Sequence, residues 1–362
     1  MPIRGLPSLS ARLLLSFSCR PSHCHHPLHH SLHHYDCYRP VGTHTLTTMA
    51  AIMKGVDDDN DNDNKSDKQN DKSSDVVGDE AATGTAAKQR LVYGKDDSLF
   101  GCIEEQQGDL PFGDFLDAGT GTHSMRWIAT LHEKGMSSFY AITADATMKK
   151  RVELEAKTLG LYDDDESAQE KVLMGNWFPK TEGEAFDFQD AQFDTILADY
   201  LIGAMDGFSP YRQDEMLPIL VDLLKPGGRL YIVGLEPIPD KVVGRENVVC
   251  KVRQVRDACI LLAGHRCYRE YPLEWIHRQC KQLKNCRVLE THRFPIVYRH
   301  GTINRQINVA RSKFPYFPDK ALVGPMKKVL DELERQAKEA TKEAPIKLGF
   351  DYVVSLEKDK EG

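Results

Sequence analysis

The sequence predicts an α/β fold: a seven-stranded, mostly parallel sheet with helices on both faces, preceded by a disordered N-terminal region. Short apolar segments alternate with segments of helical periodicity between residues 112 and 235, a pattern typical of parallel strands joined by crossover helices. The beginning of the chain lacks the apolar periodicity that a core requires. We therefore divide the chain into a disordered region, residues 1–90, and a folded domain, residues 91–358.

The N-terminal region has two compositions. Residues 1–48 contain eight of the 14 histidines and one acidic residue, whereas residues 56–80 carry ten acidic residues against three lysines. Ordering either part would lose conformational entropy without burying apolar surface. Residues 1–22 carry Arg and Ser without acidic residues, as transit peptides do; alternatively, translation starts at Met49 or Met53. We expect a cytoplasmic protein, or a mitochondrial or plastid one if a transit peptide is present.

The first five strands and their connecting helices follow from apolar periodicity and turn residues. The motif "KPGG" at residues 225–228 is expected to end the last of these helices, since proline and paired glycines do not continue a helix. The predicted strands are Phe112–Ala118, Ser138–Thr143, Lys171–Met174, Phe193–Asp199 and Arg229–Leu235, and the predicted helices are Ser124–Lys134, Thr147–Leu159 and Gln213–Leu224.

The remainder of the folded domain supplies two further strands and three further helices. Together with the first five strands they give a count of seven, and no internal repeat is visible. The predicted helices are Val248–Ala263, Leu273–Leu283 and Lys320–Glu343, and the predicted strands are Arg287–Val297 and Asp351–Leu356.

Composition excludes several classes of protein. No segment approaches the roughly 20 apolar residues of a membrane-spanning helix. The nine cysteines form no C-x-x-C pair and lack zinc-ligand spacing, so we expect reduced thiols and no metal site. The net charge of -7 arises partly from the acidic N-terminal segment, and the chain shows no strong footprint for nucleic acid. Nothing in the sequence indicates an oligomeric state.

A glycine-rich loop, "LDAGTGT", follows the first strand. Gly119, Thr120 and Gly121 allow the backbone to approach a ligand and turn into a helix, as a Rossmann-type loop requires. A dinucleotide fingerprint has Gly or Ala at the position of Ser124. The carboxylate of Asp117 would repel a pyrophosphate and attract an ammonium group. The loop therefore favours S-adenosylmethionine, which has an amino group and a sulfonium and no phosphate, over a nicotinamide dinucleotide.

In its order of motifs the chain resembles the class I S-adenosylmethionine-dependent methyltransferases. Their first motif, an acid, any residue and Gly-x-Gly, matches the loop beginning at Asp117, with Thr122 where a third glycine is common. The family's acid at the end of strand two, which implies a contact with the ribose hydroxyls, matches Asp145 in "YAITAD". The same aspartate would also be a good N-cap for the helix that follows.

Three later motifs follow in the family's order. The segment "VLMGNW" implies adenine contacts for Asn176 and Trp177, although the family more often has Asp than Asn, and Trp177 could equally belong to the core. The fourth motif is "FDTILADYL", and "LLKPGGRLYIVG" precedes strand five. The resemblance covers residues 112 to 235 and implies the same Rossmann-like fold.

The resemblance implies an enzyme that transfers a methyl group in line from S-adenosylmethionine. The protein then supplies mainly alignment and desolvation. Asp199 and Tyr200, at the end of strand four, are the predicted catalytic residues; Asp199 would also contact the methionine part of the cofactor, and Tyr200 would shape the transfer channel.

The acceptor is expected to be a small molecule. A protein acceptor of the arginine type or an RNA is the first alternative, although the loop after strand four lacks the glutamate pair of arginine methyltransferases. A dinucleotide-dependent Rossmann oxidoreductase and a non-catalytic cofactor-binding protein are the others. Arg, Tyr and His are frequent in residues 237–300; they would suit an acceptor bearing a carboxylate, or they form the solvated faces of two helices. Residues 94–109 would form a lid, and Tyr93 would stack on the donor.

Overall fold

The structure is a computed structural model that describes residues 98–162, 171–179, 186, 188, 190 and 192–360. The predicted disordered region, the transit peptide and Tyr93 lie outside these residues, as does the proposed domain boundary at residue 90. All four therefore stay predictions.

Seven strands form one mixed sheet in the order β3-β2-β1-β4-β5-β7-β6. The pairs among β1 to β5 are parallel, whereas β7 is antiparallel to both of its neighbours. The count of seven is confirmed, and the parallel arrangement holds for the first five strands only. The strands are β1 Gly113–Asp117, β2 Met136–Thr143, β3 Val172–Met174, β4 Phe193–Asp199, β5 Leu224–Leu235, β6 Cys286–Tyr298 and β7 Ile346–Lys358.

Nine α-helices lie in the described part of the chain, joined by several 3-10 turns. Helices α1 to α5 accompany the parallel strands, and α6 to α9 belong to the second half of the chain. They are α1 Ser98–Gln107, α2 Thr122–Ile128, α3 Ala146–Thr158, α4 Leu201–Ala204, α5 Gln213–Leu223, α6 Asn247–Leu262, α7 Leu273–Cys280, α8 His300–Arg311 and α9 Val323–Ala340.

Both faces of the sheet are covered by helices. Consecutive residues of a strand point to opposite faces, so the continuous apolar strands place apolar side chains on both faces. In β1, Phe115 belongs to the apolar cluster formed with α1, α2 and α3. Its neighbour Leu116 belongs to the cluster formed with α5 and α7 on the other face. Trp127 of α2 is fully buried in the first cluster and stacks on Phe100 of α1 at a centroid distance of 4.4 Å.

Helices α6, α8 and α9 form a three-helix module with its own apolar cluster. The module joins the sheet through the end of β6 at Tyr298 and the start of β7 at Ile346, which are paired. Because β7 begins near the end of β5, with Asp351 opposite Leu235, the module lies toward the carboxyl ends of the parallel strands. In open α/β sheets that edge carries the ligand site.

Several predicted boundaries were wrong. The helix expected at Ser124–Lys134 ends at Ile128 and is followed by a 3-10 turn, Leu131–Lys134. The hydroxyl of Thr130 donates to the carbonyl of Trp127, and such a local hydrogen bond competes with helix continuation.

Other differences concern the ends of elements and three helices that were not predicted. Helix α5 ends at Leu223, before "KPGG" as expected, but "KPGG" itself lies in an irregular start of β5. The helix expected at Lys320–Glu343 begins with a 3-10 turn, and α9 ends at Ala340. Helices α1, α4 and α8 were not predicted.

Candidate active site

A cleft with about 1190 Å³ of free space opens at the carboxyl ends of β1, β2 and β4. Its walls come from the glycine loop, the starts of α2, α3 and α4, and a loop between α6 and α7. The structure thus brings nearly all of the predicted site residues together, with Asp117 buried directly behind the loop. Those that line the cleft are Gly119, Thr120, Gly121, Asp145, Asn176, Trp177, Asp199 and Tyr200.

Asp117 ends β1 and is fully buried. Its Oδ1 accepts a hydrogen bond from the backbone N–H of Gly119 at 3.4 Å, while Oδ2 has no hydrogen-bond partner. Burial raises the pKa of this carboxyl to about 6; Ser124 opposes the shift, and repulsion from Asp199 adds to it. A buried carboxylate with an unused oxygen is unfavourable unless a cation or a donor reaches it, so the residue is suited to an ammonium group.

Contacts with α4, with β2 and with Ser124 hold the glycine loop in its conformation. A methyl group at Gly119 would lie 3.0 Å from Cδ1 of Leu201, so the loop passes close to α4. The backbone N–H of Thr120 donates to the carbonyl of Ile142 at 2.7 Å and ties the loop to β2. Ser124 accepts from the N–H of Gly121 and donates to its carbonyl, both at 3.0 Å. Ser124, which departs from the dinucleotide fingerprint, therefore stabilises the turn of the loop.

Asp145 is the N-cap that was considered for it, and its ribose contact stays a prediction. Its Oδ1 accepts a hydrogen bond from the N–H of Met148 at 2.7 Å, which makes it the N-cap of α3. Its Oδ2 is buried without a hydrogen-bond partner, and the residue lines the cleft. One oxygen is thus used by the helix, and the other is left for a hydroxyl donor.

Asn176 and Trp177 line the cleft and also hold its wall together. The Asn176 amide donates to the carbonyl of Phe208 at 3.1 Å and accepts from the Ser209 hydroxyl at 2.7 Å. The indole N–H of Trp177 donates to the carbonyl of Ala118 at 2.8 Å. These bonds join the segment after β3 to β1 and to the loop after β4. The adenine contact stays a prediction for both residues.

Asp199 ends β4, Tyr200 follows it, and both line the cleft. Tyr200 has a positive φ of 50°, a strained conformation for a bulky residue. Its hydroxyl donates to Oδ1 of Asp351 in β7 at 2.8 Å. Burial and the neighbouring carboxylates raise the pKa of this phenol well above its usual value, so Tyr200 remains protonated at neutral pH.

Sequence reasoning missed Glu270 as a site residue. It lies in the loop between α6 and α7, which also brings Tyr268 to the cleft. Burial raises the pKa of Glu270 to about 8, and the charge of Asp351 adds to the effect. The segment "CYREYP" that contains it has no local signature of a site, because the cleft is formed by residues distant in sequence.

The arginines expected to line an acceptor pocket do not line the cleft. Arg253 pairs with Asp240 at 2.6 Å, and Arg256 pairs with Asp257 at 2.7 Å. Within the described part of the chain, the cleft wall contains no Lys or Arg side chain. Of the two alternatives considered for these residues, the positive lining of the cleft is therefore wrong, because these arginines are neutralised by carboxylates outside the cleft.

The predicted lid takes a different position. Helix α1 packs beside α2, where Phe100 stacks on His123 at a centroid distance of 5.2 Å, and no residue of α1 lines the cleft. His123 itself lines the cleft at the start of α2.

The described residues contain neither a cluster of metal ligands nor a membrane-spanning helix. No group of three or more metal-ligating side chains is close enough there to hold an ion. No helix in that part is long and apolar enough to cross a membrane.

Comparisons with known proteins give structural likenesses only: no family model and no curated protein matches the chain. A YcgJ protein of Bacillus subtilis is 16% identical, with a TM-score of 0.42, and the match covers 72% of this chain and 98% of that one. A putative methyltransferase of Bacillus halodurans is 13% identical, with a TM-score of 0.45 and coverages of 74% and 100%.

A third solved structure is an S-adenosylmethionine-dependent methyltransferase of Thiobacillus denitrificans, in complex with S-adenosylhomocysteine. It is 14% identical, with a TM-score of 0.37, and the match covers 70% of this chain and 89% of that one. Identities and TM-scores this low do not define an activity, so the functional argument rests on the cleft itself.

Proposed function

We propose that the protein is an S-adenosylmethionine-dependent methyltransferase that acts on a small molecule. One observation carries the proposal: two buried aspartates at the ends of neighbouring strands, Asp117 and Asp145, each keep an oxygen without a partner. The cleft beside them has no Lys or Arg side chain in its described wall. This donor and acceptor set fits a cofactor that brings an ammonium, a sulfonium and ribose hydroxyls.

Different residues of the chain would contact different parts of the cofactor. Asp117 would supply the counter-charge for the amino group, with the backbone of Gly119, Thr120 and Gly121 allowing close approach. The free Oδ2 of Asp145 would accept from the ribose hydroxyls. Asn176 and Trp177 would form the wall for the adenine.

When bound, the cofactor supplies an activated methyl group on sulfur. Asp199 would orient the methionine part or the acceptor, and the Tyr200 ring would shape the channel between them. The Tyr200 hydroxyl donates a hydrogen bond to Asp351 and stays protonated. This residue would therefore position the reactants and would not act as a general base. The catalytic effect expected from these side chains is alignment and exclusion of water.

A nicotinamide dinucleotide fits the cleft less well. Its pyrophosphate would lie beside a buried carboxylate with no cationic side chain nearby, and Coulomb repulsion in a buried site is strong. A small molecule is preferred to a protein or RNA as the acceptor, because no observation in the described residues favours either of these.

Thermal melting of the full chain with S-adenosylhomocysteine, S-adenosylmethionine and NAD tests the proposal. A ligand at a hundred times its dissociation constant stabilises by about 2.7 kcal/mol, which we expect to raise Tm by roughly 5–10 °C for either sulfur nucleoside. A shift with NAD and none with the nucleosides would refute the proposal.

The variant Asp145→Ser tests the ribose contact separately. Serine is also a good N-cap, so the fold should be retained while the second carboxylate oxygen is lost. We expect the dissociation constant for S-adenosylhomocysteine to rise at least about tenfold, or about 1.4 kcal/mol, by calorimetry. Asp222→Ser, an exposed position in α5, is the matched control; equal affinities for both variants would remove the ribose role.

A further inference from the structure

The loop between α6 and α7 places a carboxylate on the acceptor side of the cleft. Glu270 lines the cleft, and a methyl group at Gly203 would lie 2.8 Å from its Oε2, so the side chain rests against the backbone of α4. Within the described residues, its carboxylate makes no hydrogen bond or ion pair. With its pKa raised to about 8, the group is largely protonated while the cleft is empty. A cationic ligand beside it would favour the carboxylate form, which points to a ligand that supplies a hydrogen-bond donor.

Carboxylates of two strands lie on the same side of the cleft as Glu270. Asp351 of β7 adds to the rise of its pKa, and Asp199 at the end of β4 lines the same cleft, with the protonated Tyr200 beside it. Arg256 of α6 opposes the rise of this pKa. Its guanidinium already bonds Asp257 and Gln306, so its compensation of Glu270 is partial.

Aromatic rings complete this side of the cleft. Tyr200, Phe208 and Tyr268 line it together with Trp177. The faces of aromatic rings attract cations, most strongly when water is excluded, and clusters of such rings recognise methylated ammonium groups. A wall of carboxylates and aromatic rings therefore favours a cation over an anion.

We propose that the methyl acceptor is an amine and that Glu270 binds its nitrogen and takes up the proton that it loses. The inference rests on the proposed methyltransferase function and names its substrate class. A carboxylate acceptor would be repelled by the same residues.

The lone pair of the neutral acceptor nitrogen forms a bond to the methyl carbon while the carbon–sulfur bond breaks, and that bond's electron pair stays on sulfur, giving a neutral thioether. The nitrogen, now positively charged, releases its proton to the Glu270 carboxylate. A tertiary amine has no proton to release and would leave as a quaternary ammonium, whose charge the carboxylate and the rings stabilise.

The experiment supplies the full chain with S-adenosylmethionine carrying an isotope-labelled methyl group and with a small-molecule extract of the cells that produce the protein. Two-dimensional NMR distinguishes methyl groups on nitrogen from those on oxygen, carbon or sulfur. We expect the label on nitrogen. A label on oxygen, carbon or sulfur, or no labelled product from protein that binds S-adenosylhomocysteine, would overturn the amine proposal; absence of S-adenosylhomocysteine binding would instead overturn the proposed function.

Variants separate the role of Glu270 from that of the fold. These variants are assayed with the acceptor after it has been purified. Glu270→Gln should lower kcat/KM at least about a hundredfold, as expected for loss of a general base. Its Tm and its affinity for S-adenosylhomocysteine should stay at the wild-type values. Glu270→Asp should keep part of the activity. Glu274→Gln, at an exposed position of α7, is the control; wild-type rates for Glu270→Gln would contradict the assignment.

Discussion

Asp117 ends β1 and Asp145 follows β2, and their carboxylates have different surroundings. Asp145 is the N-cap of α3 and uses one oxygen for it, whereas Asp117 is fully buried and accepts a long bond from the N–H of Gly119. The first has a structural reason to be present without a ligand. The second opposes folding when ionised, so its presence is best explained by the cation that it would bind.

The variant Asp117→Asn should stabilise the ligand-free protein and weaken binding. The raised pKa means that the contribution of this carboxyl to stability is present below its ordinary pKa of 3.8 and is lost as pH rises to about 6. At pH 7.5 the loss corresponds to about 3 kcal/mol, so Tm of the empty variant should exceed that of the wild type. The stabilisation by S-adenosylhomocysteine should shrink.

Melting at pH 5 and pH 7.5, with and without S-adenosylhomocysteine, measures both effects. The wild type should bind more weakly at pH 5, because a protonated Asp117 no longer attracts an ammonium. Asp222→Asn is the exposed control. An Asp117→Asn variant that melts like the wild type and binds equally well would contradict this account of the residue.

At the scale of elements, the glycine loop and helix α4 form one unit. Gly119 faces Leu201 at a distance that leaves no room for a methyl group without movement, whereas a methyl group at Gly121 would lie 3.8 Å from Cε of Met148, an ordinary contact. The two glycines of the motif therefore differ: a methyl group at the first would crowd Leu201 of α4, whereas the second has room for one, so that ligand approach is the role proposed for the second.

The variants Gly119→Ala and Gly121→Ala should separate these roles. We expect Gly119→Ala to lower the free energy of unfolding by about 1–3 kcal/mol, the usual range for overpacking, which is seen as a lower Tm. Gly121→Ala should melt close to the wild type and bind S-adenosylhomocysteine more weakly. The assignment fails if Gly121→Ala is the less stable of the two.

The apolar periodicity of the sequence predicts the strands and most helices well, and it predicts helix ends and connecting segments less well. The five parallel strands were found because buried strands are continuous apolar segments bounded by turns. The split of the second helix after Ile128 and the bulged start of β5 depend on hydrogen bonds made in the folded protein, and helix α1 depends on packing against Trp127. Periodicity alone does not contain that information.

At the scale of the whole molecule, the three-helix module has an apolar cluster separate from the two clusters that flank the sheet. Leu330 of α9 is fully buried in it. The module is joined to the sheet through β6 and β7 and through the loop that carries Glu270. We expect it to open as a unit of its own, since local stability follows such contiguous clusters.

The variant Leu330→Ala should lower the free energy of unfolding by about 2–5 kcal/mol, the range for a large-to-small change in a core. Hydrogen exchange should accelerate in α6, α8 and α9 while the amides of β1 and β4 stay protected. Val329→Ala, at a position 43% exposed, should change neither. Equal acceleration in the sheet would show that the module does not open independently.

The sequence by itself determined the α/β class, the seven strands and the order of the motifs, because strand periodicity, glycine turns and acids at strand ends are local features. It also indicated Asp117 and Asp145 by their places after strands. Only the tertiary structure decided which side chains share the cleft. It removed Arg253 and Arg256 by pairing them elsewhere and added Glu270, because the charge of a cleft depends on contacts between segments far apart in the chain.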